Sequence, residues 1–234
     1  MYREPDFLLR EELRDVESYF AVLMALAEGH STQQAIARHA ATSERSIHYY
    51  LQQLVDLGYI RRRYPLTGTR PVKRHVRFVL ADALLRFWFR FVFPNLSFLA
   101  EMGPRRTLRE RIRPALAAFY GSCFEGLSRE ALAHLYRIEG VSAGFEIGEY
   151  WSKQTQIDVV GFRDDDWTDI CECKWGAVRS AKRVVRELST KVAEYPNKRG
   201  ATIGRRMFVR VKPRATNETE EVRWHSLEEM YEAS

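Results

Sequence analysis

At Gly140 the apolar pattern of the chain changes its period. Before it, apolar residues recur every three to four positions over long runs. After it they fall into strand-length stretches, 143-AGFEIGEYW-151, 154-QTQIDVVGF-162 and 167-WTDICECKWG-176. A period of 3.6 and a period of 2 cannot share one element, so the chain is expected to be helical first and sheet-forming second. A helix over 179-RSAKRVVRELSTKVAEY-195 and a strand over 206-RMFVRV-211 complete the order helix, three meandering strands, helix, strand. That order predicts an α/β (α+β) core, a mixed sheet flanked by helices. With 234 residues there is length for a first domain over 1–80, a connector over 81–119 and a sheet domain over 120–234.

The first third reads as three helices and a hairpin. Residues 15–28 carry apolar positions at helical spacing and stop at Gly29. Ser31 is the expected N-cap of a short second helix with Ala35 and Ile36 inward, and Thr42-Ser43 caps a third. The third helix has the stripe Ile47, Tyr50, Leu51, Leu54, Leu57 and ends at Gly58. Two strand-like stretches, 59-YIRRRYP-65 and 73-KRHVRFVL-80, follow across the turn-rich LTGTRP. Three helices with a β-wing define a winged helix-turn-helix. In a DNA-binding version Ser43, Glu44, Arg45, His48, Tyr49 and Gln52 would approach the major groove, with the wing arginines on phosphate. Such a domain also serves as a protein-docking module.

Charge is distributed unevenly around the net +6. Between Asp56 and Asp82 there is no acid, but there are Arg61, Arg62, Arg63, Arg70, Lys73, Arg74 and Arg77. Between Glu194 and Glu218 lie Lys198, Arg199, Arg205, Arg206, Arg210, Lys212 and Arg214. Either block alone is ordinary solvated surface; two of them favour a phosphate-backbone partner. The aromatic segment 81-ADALLRFWFRFVFPNLSFLAEMG-103 has too many large rings for one amphipathic face. It predicts a helix buried on several sides and ended by Pro94, with one or two further helices broken near Gly121. Arg86 and Arg90 keep it from being a membrane span. The start of the chain lacks the apolar core of a signal peptide, and three cysteines form neither a disulfide framework nor a zinc spacing. A reducing cytoplasm is the expected compartment.

The stretch 157-IDVVGFRDDDWTDICECKW-175 sets Asp158, Glu172 and Lys174 inside an apolar run. Burying charge is costly unless it is paired or holds a metal. Strand alternation puts Glu172 and Lys174 on one face and Cys171 and Cys173 on the other, where the thiols read as small core residues. In the preceding strand Ile157 and Val159 would share a face opposite Asp158. Paired through the acidic turn Asp164-Asp165-Asp166, the strands would converge Asp158, Glu172 and Lys174. Oxygen ligands of this kind suit Mg²⁺ or Mn²⁺, with Asp158 and Glu172 as ligands and Lys174 to orient water or stabilise developing charge. A structural ion pair is the competing reading.

An aspartate, a strand–turn–strand interval and then Glu172-Cys173-Lys174 resembles the signature of the PD-(D/E)XK nuclease superfamily. The chain is also similar to the C-terminal region of archaeal-type P-loop ATPases, a winged helix followed by a domain of unknown function. The landmarks are 8-LLREELRDVESYFAVLMALAEG-29, 49-YYLQQLVDLGYIRRRYPLT-67, 86-RFWFRFVFPNLSFLAEMG-103, 120-YGSCFEGLSREAL-132, 147-IGEYWSKQTQIDVVGF-162 and 171-CECKW-175. The resemblance implies a restriction-endonuclease-like fold and adds Glu125 to the catalytic set Asp158, Glu172 and Lys174. Two departures stand out: no GxxxxGK[ST] occurs, so ATP hydrolysis is not carried over, and Gln156 occupies a position where relatives often have an acid. Glu146 and Glu149 read as edge-strand charges or as further carboxylates of the site. Lys182 and Arg183, with Arg179 and Arg186, read as a basic face toward nucleic acid, with Lys191 either a further member of that face or a solvated helix residue.

The leading expectation is a Mg²⁺-dependent DNA nuclease targeted by the winged helix. Its rivals are an inactive DNA-binding protein of the same fold and a docking module for a separate P-loop ATPase. Nucleases of this fold often cut as dimers, which makes a homodimer one option by analogy only; the sequence leaves the oligomeric state open.

Overall fold

Helix caps and glycine stops place the first elements. The computed structural model describes residues 9–13, 15–69, 75–213 and 222–232; Arg70, Lys73, Arg74 and Arg214 lie outside them. The chain divides into two units, Met1–Arg63 with Lys73–Ala115, and Tyr64–Val72 with Leu116–Ser234.

The first unit opens with α1 (Val16–Ala27), α2 (Gln33–His39) and α3 (Glu44–Asp56). Thr32, one residue later than expected, caps α2 by accepting from the Ala35 amide, and Ser43 caps α3 by accepting from the Ser46 amide. A two-stranded antiparallel hairpin follows, β1 (Ile60–Arg63) with β2 (Arg77–Leu80), in the register Ile60 to Leu80. Ile36, Ile47, Leu51, Leu54, Ile60, Phe78 and Leu80 all enter one core with the α1 residues Phe20, Val22 and Leu23. Leu57, placed on the α3 stripe by its spacing, is 45% exposed because it is already the C-cap.

The aromatic segment joins this core. A short α4 (Ala83–Phe87) runs into a wider π turn over Trp88–Val92 and a 3-10 turn at Phe93–Asn95, and then into α5 (Leu96–Thr107), whose backbone breaks at Gly103 ahead of Pro104. Pro94 therefore deflects the helix rather than ending it. Trp88 and Phe89 are buried, with Phe20 making edge-on ring contacts to Trp88, Phe89 and Phe93.

In the second unit α6 (Leu116–Ile138) runs unbroken through Gly121, contrary to the expected interruption. A Cβ at Gly121 would meet only the Trp175 Cβ, at 4.0 Å, so nothing forces the helix apart there. Five strands form one mixed sheet in the order β3 (Phe145–Trp151), β4 (Gln156–Arg163), β5 (Trp167–Lys174), β6 (Thr202–Val209), β7 (Arg223–Ser226). The first two pairings are antiparallel and the last two parallel, as the crossover through α7 (Ala181–Glu194) requires. α8 (Leu227–Glu232) follows β7. One face of the sheet packs Ile157, Val160, Ile170 and Met207 with Val184 and Leu188 of α7. The other packs Val159, Cys171 and Phe208 with Leu132 and Tyr136 of α6. Segment 64–69 also joins this unit: Leu66 donates its amide to Glu149 O at 2.8 Å and is buried with the first of those clusters. Among the described residues no helix is long and apolar enough to cross a membrane.

Strict alternation along β4 fails at one point. Gly148 pairs with Val160 but Tyr150 pairs with Ile157, so Glu149 alone faces Asp158 and Val159. This β-bulge puts Ile157 and Val159 on opposite faces, not on the shared face that a regular period of two predicts.

Candidate functional site

The bulge places Asp158 where the ladder between β4 and β5 runs out. The last register pair is Val159 with Cys171, and the Cys173 amide beyond it donates to Asp158 Oδ2 at 3.0 Å. The Asp158 carboxylate therefore occupies the gap between the two strands instead of a backbone carbonyl. From α6, Arg129 Nη1 donates to Asp158 O at 2.9 Å, which ties the helix to the bulge. One turn earlier on the same helix face, at i−4, stands Glu125.

Glu172 points to the α7 face of β5 and is 4% exposed. Lys174 Nζ donates to its Oε1 at 2.8 Å, and Lys191 Nζ, from α7, donates to its Oε2. Lys174 also lies 3.8 Å from Glu187, which pairs with Arg183 one turn earlier. Burial pushes the Asp158 carboxyl up to about 6, reinforced by Glu172 and opposed by the Cys173 amide, Lys191 and Lys174. Burial and then Asp158 push Glu125 up to about 7; Arg129 opposes this, while Glu149 and Glu172 add to it. The cluster thus carries more negative charge than its burial tolerates comfortably. Such a donor set, hard carboxylate oxygens on adjacent strands, fits a Mg²⁺ or Mn²⁺ ion held through two carboxylates and water. Glu125, Asp158 and Glu172 do not form a tight triple. Among the described residues the group of three or more candidate ligands within 4.8 Å of one another is Glu28, His30 and His39, in the first unit.

Strand alternation points to Asp158, Glu172 and Lys174, and the resemblance adds Glu125. In the structure Lys174 pairs with Glu172, Asp158 accepts from the Cys173 amide of the same strand, and Glu125 lies close enough to both acids for them to raise its pKa. Three further residues border the group, of which Glu149 and Lys191 are already candidates from the sequence and Arg129 is not. Glu149, read as an edge-strand charge, is 8% exposed opposite the bulge. Lys191 lies three residues beyond buried Leu188 and seven beyond buried Val184, so helical spacing alone puts it on the sheet-facing side of α7. Arg129 carries the same signal through its i+4 relation to Glu125. The bulge itself has no local sequence signal.

The other expected residues are spread out. Arg45, His48 and Tyr49 are exposed on α3, and Arg61 and Arg62 are exposed on β1, with Arg62 donating to Gln52 Oε1. Arg63 is half-buried. Lys182 and Arg183 are exposed in the first turn of α7, behind the Ser180 cap. The second basic block is not a uniform surface. Arg206 is 1% exposed; its guanidinium donates to Asp169 Oδ1 at 3.0 Å and to both Glu139 oxygens at 2.6 and 2.7 Å. Tyr136 completes the network by donating to Asp169 Oδ2 at 2.7 Å. Cβ atoms at Gly161 and Gly204 would collide with the Tyr136 hydroxyl and the Asp169 carboxylate, so both strands need glycine there.

The fold and the cluster define a mixed α/β chain with a carboxylate–lysine group at a bulged strand. Residues 88–188 match the DUF234 family, described as "Archaea bacterial proteins of unknown function". An uncharacterized protein of Methanocaldococcus jannaschii is 29% identical over 192 residues, covering 80% of this chain and 43% of the relative. The chain therefore spans less than half the length of the curated relative it matches. Both findings agree with the archaeal resemblance carried by the landmarks. Superposition on the crystal structure of human N-acetylserotonin methyltransferase in complex with SAM spans 95% of this chain and 66% of that one. It gives 14% identity and a TM-score of 0.21, too low to carry any inference.

Proposed function

We propose that the chain is a Mg²⁺- or Mn²⁺-dependent DNA nuclease of restriction-endonuclease-like fold, brought to its substrate by a winged helix-turn-helix in the first unit. The observation that carries the reading is the meeting of Asp158, Glu172 and Lys174 on adjacent strands with Glu125 of α6 and Lys191 of α7. The element order, a helix before three antiparallel-paired strands, then a crossover helix and a parallel strand, supports the fold assignment. Three helices followed by an Arg-bearing hairpin support the targeting role.

Asp158 and Glu172 would hold the cation. When bound, it supplies Lewis acidity toward a phosphoryl oxygen. Asp158 is oriented for this by the Cys173 amide, which fixes Oδ2 and leaves Oδ1 as the adaptable oxygen. Lys174 and Lys191 now neutralise Glu172; with a cation at Glu172 their ammonium groups would be released to stabilise charge building on the phosphate. Glu125, held near neutrality by burial and Asp158, would exchange a proton with water at working pH. The exposed basic start of α7, with Lys182 and Arg183, would guide the backbone.

The test is plasmid cleavage in Mg²⁺ or Mn²⁺ by the wild type beside Asp158→Ala and Lys174→Ala. Each variant should lose at least about 100-fold in rate. Equal cutting by all three would point to contamination and sink the assignment. A second reading, a DNA-binding protein that keeps the fold without activity, is favoured by the double clamp of Lys174 and Lys191 on Glu172. It predicts steeply salt-dependent duplex binding with no Mn²⁺ uptake by calorimetry.

A further inference from the structure

We propose a second metal site, for Zn²⁺ or a similar borderline-soft divalent cation, built from Glu28, His30 and His39 at the corner between α1 and α2. It is independent of the carboxylate cluster and of the nuclease reading. The ligand atoms of the three side chains all lie within 4.8 Å of one another. His39 Nε2 is 2.8 Å from Glu28 Oε2, and the two imidazole rings are 4.4 Å apart between centroids, at 34°. Two imidazole nitrogens and one carboxylate oxygen make a three-ligand zinc set with a fourth position left for water.

The backbone holds these residues in place before any ion arrives. Gly29, with φ of 101°, ends α1 in a Schellman turn: its amide donates to Leu26 O at 3.1 Å and the His30 amide donates to Ala25 O at 3.0 Å. Glu28 and His30 thus flank a fixed left-handed residue. His39 is the last residue of α2, which ends in a turn of the same kind, the Thr42 amide donating to Ala37 O at 2.9 Å. Tetrahedral zinc at about 2.0–2.1 Å places its ligands roughly 3.3 Å apart. Reaching that from the present positions takes only adjustment of side-chain tips, and Glu28 and His39 are both exposed. Electrostatics favours a cation as well. Two helix C-termini, each the negative end of a dipole, converge here, and Glu28 adds a carboxylate to the wrong end of α1. A divalent ion offsets all three. Bound there, it would tie the end of α1 to the end of α2 and stiffen the scaffold on which α3 is presented.

Calorimetric titration of the intact chain with Zn²⁺, and Co²⁺ absorption as a readout of coordination by imidazole, test the site. The wild type and Asp158→Ala should both bind at this corner and gain in Tm with Zn²⁺. His39→Ala and His30→Ala should each lose at least the roughly 100-fold that removing even an outer partner of a zinc ligand can cost. They should also lose the Tm gain and the Co²⁺ band. The proposal is overturned if the histidine variants bind as the wild type does. It is equally overturned if Asp158→Ala alone abolishes binding, or if the wild type takes up no zinc at about 100 µM, which would leave His39 and Glu28 as a simple side-chain contact.

Discussion

A carboxyl held up to about 7, as burial and Asp158 hold Glu125, makes folding depend on pH in a definite direction. Its folded-state value lies above the ordinary 4.5, so between pH 4.5 and 7 the folded chain keeps a proton that the unfolded chain has released. The cost of ionising it is absent below pH 4.5 and grows until about pH 7. In metal-free buffer Glu125→Gln should therefore match the wild type in Tm near pH 4 and exceed it at pH 8. The expected gain is several degrees, each 1 kcal/mol being worth roughly 2–4 °C at this size. A variant less stable at pH 8 would show that Glu125 is not strained. Arg206 and Lys198 offer a second contrast. The sequence shows them as members of one basic block, yet only Arg206 is buried, between Asp169 and Glu139. Arg206→Ala should cost about 3–5 kcal/mol by stranding the buried Asp169 carboxylate, whereas Lys198→Ala should stay within about ±0.5 kcal/mol. Urea unfolding measures both. Charge runs read from sequence carry no burial information; only the partners, 37 and 67 residues away, reveal it.

At the level of elements, the ends were legible because capping is local chemistry. Ser43 caps α3, Gly29 stops α1 and Gly58, at φ of 80°, follows α3. Features set by tertiary packing were not legible. Alternation along 157–160 gives no sign of an extra residue, since Val and Ile suit either face. The aromatic segment passes through Pro94 because the ring contacts around Phe20 hold it. One local rule is broken: Ala41, between α2 and α3, takes φ of 50°, a region disfavoured for any residue with a Cβ. Ala41→Gly should stabilise the first unit by roughly 0.5–1 kcal/mol, the steric relief exceeding the added freedom of the unfolded chain. Thermal unfolding decides it; a loss of stability would mean that the methyl group contributes packing worth more than the strain.

For the molecule as a whole, the change of period at Gly140 announced the fold class, and the structure bears out a mixed sheet flanked by helices, with β7 a fifth strand beyond the four that the pattern marks. Duplex binding, if the proposed role holds, should weaken linearly with log salt at about −0.9 per phosphate contacted. Arg45→Ala and Arg61→Ala should each flatten that slope by about one without altering metal uptake; an unchanged slope in both would move the DNA surface elsewhere. The bulge at Asp158 has a consequence for how such a chain can vary. It acts as a phase change within β4: Ile157 and Val160, three apart, serve one layer, while Val159 serves the other. A codon lost between 157 and 160 would restore simple alternation and keep Ile157 and Val160 on their layer, but it would remove the extra residue that sets Asp158 in the gap beside β5. One gained or lost in the exposed turn at 164–166 would leave both layers in phase. Length variation in this chain should therefore be tolerated at the tip of that hairpin and purged at its base.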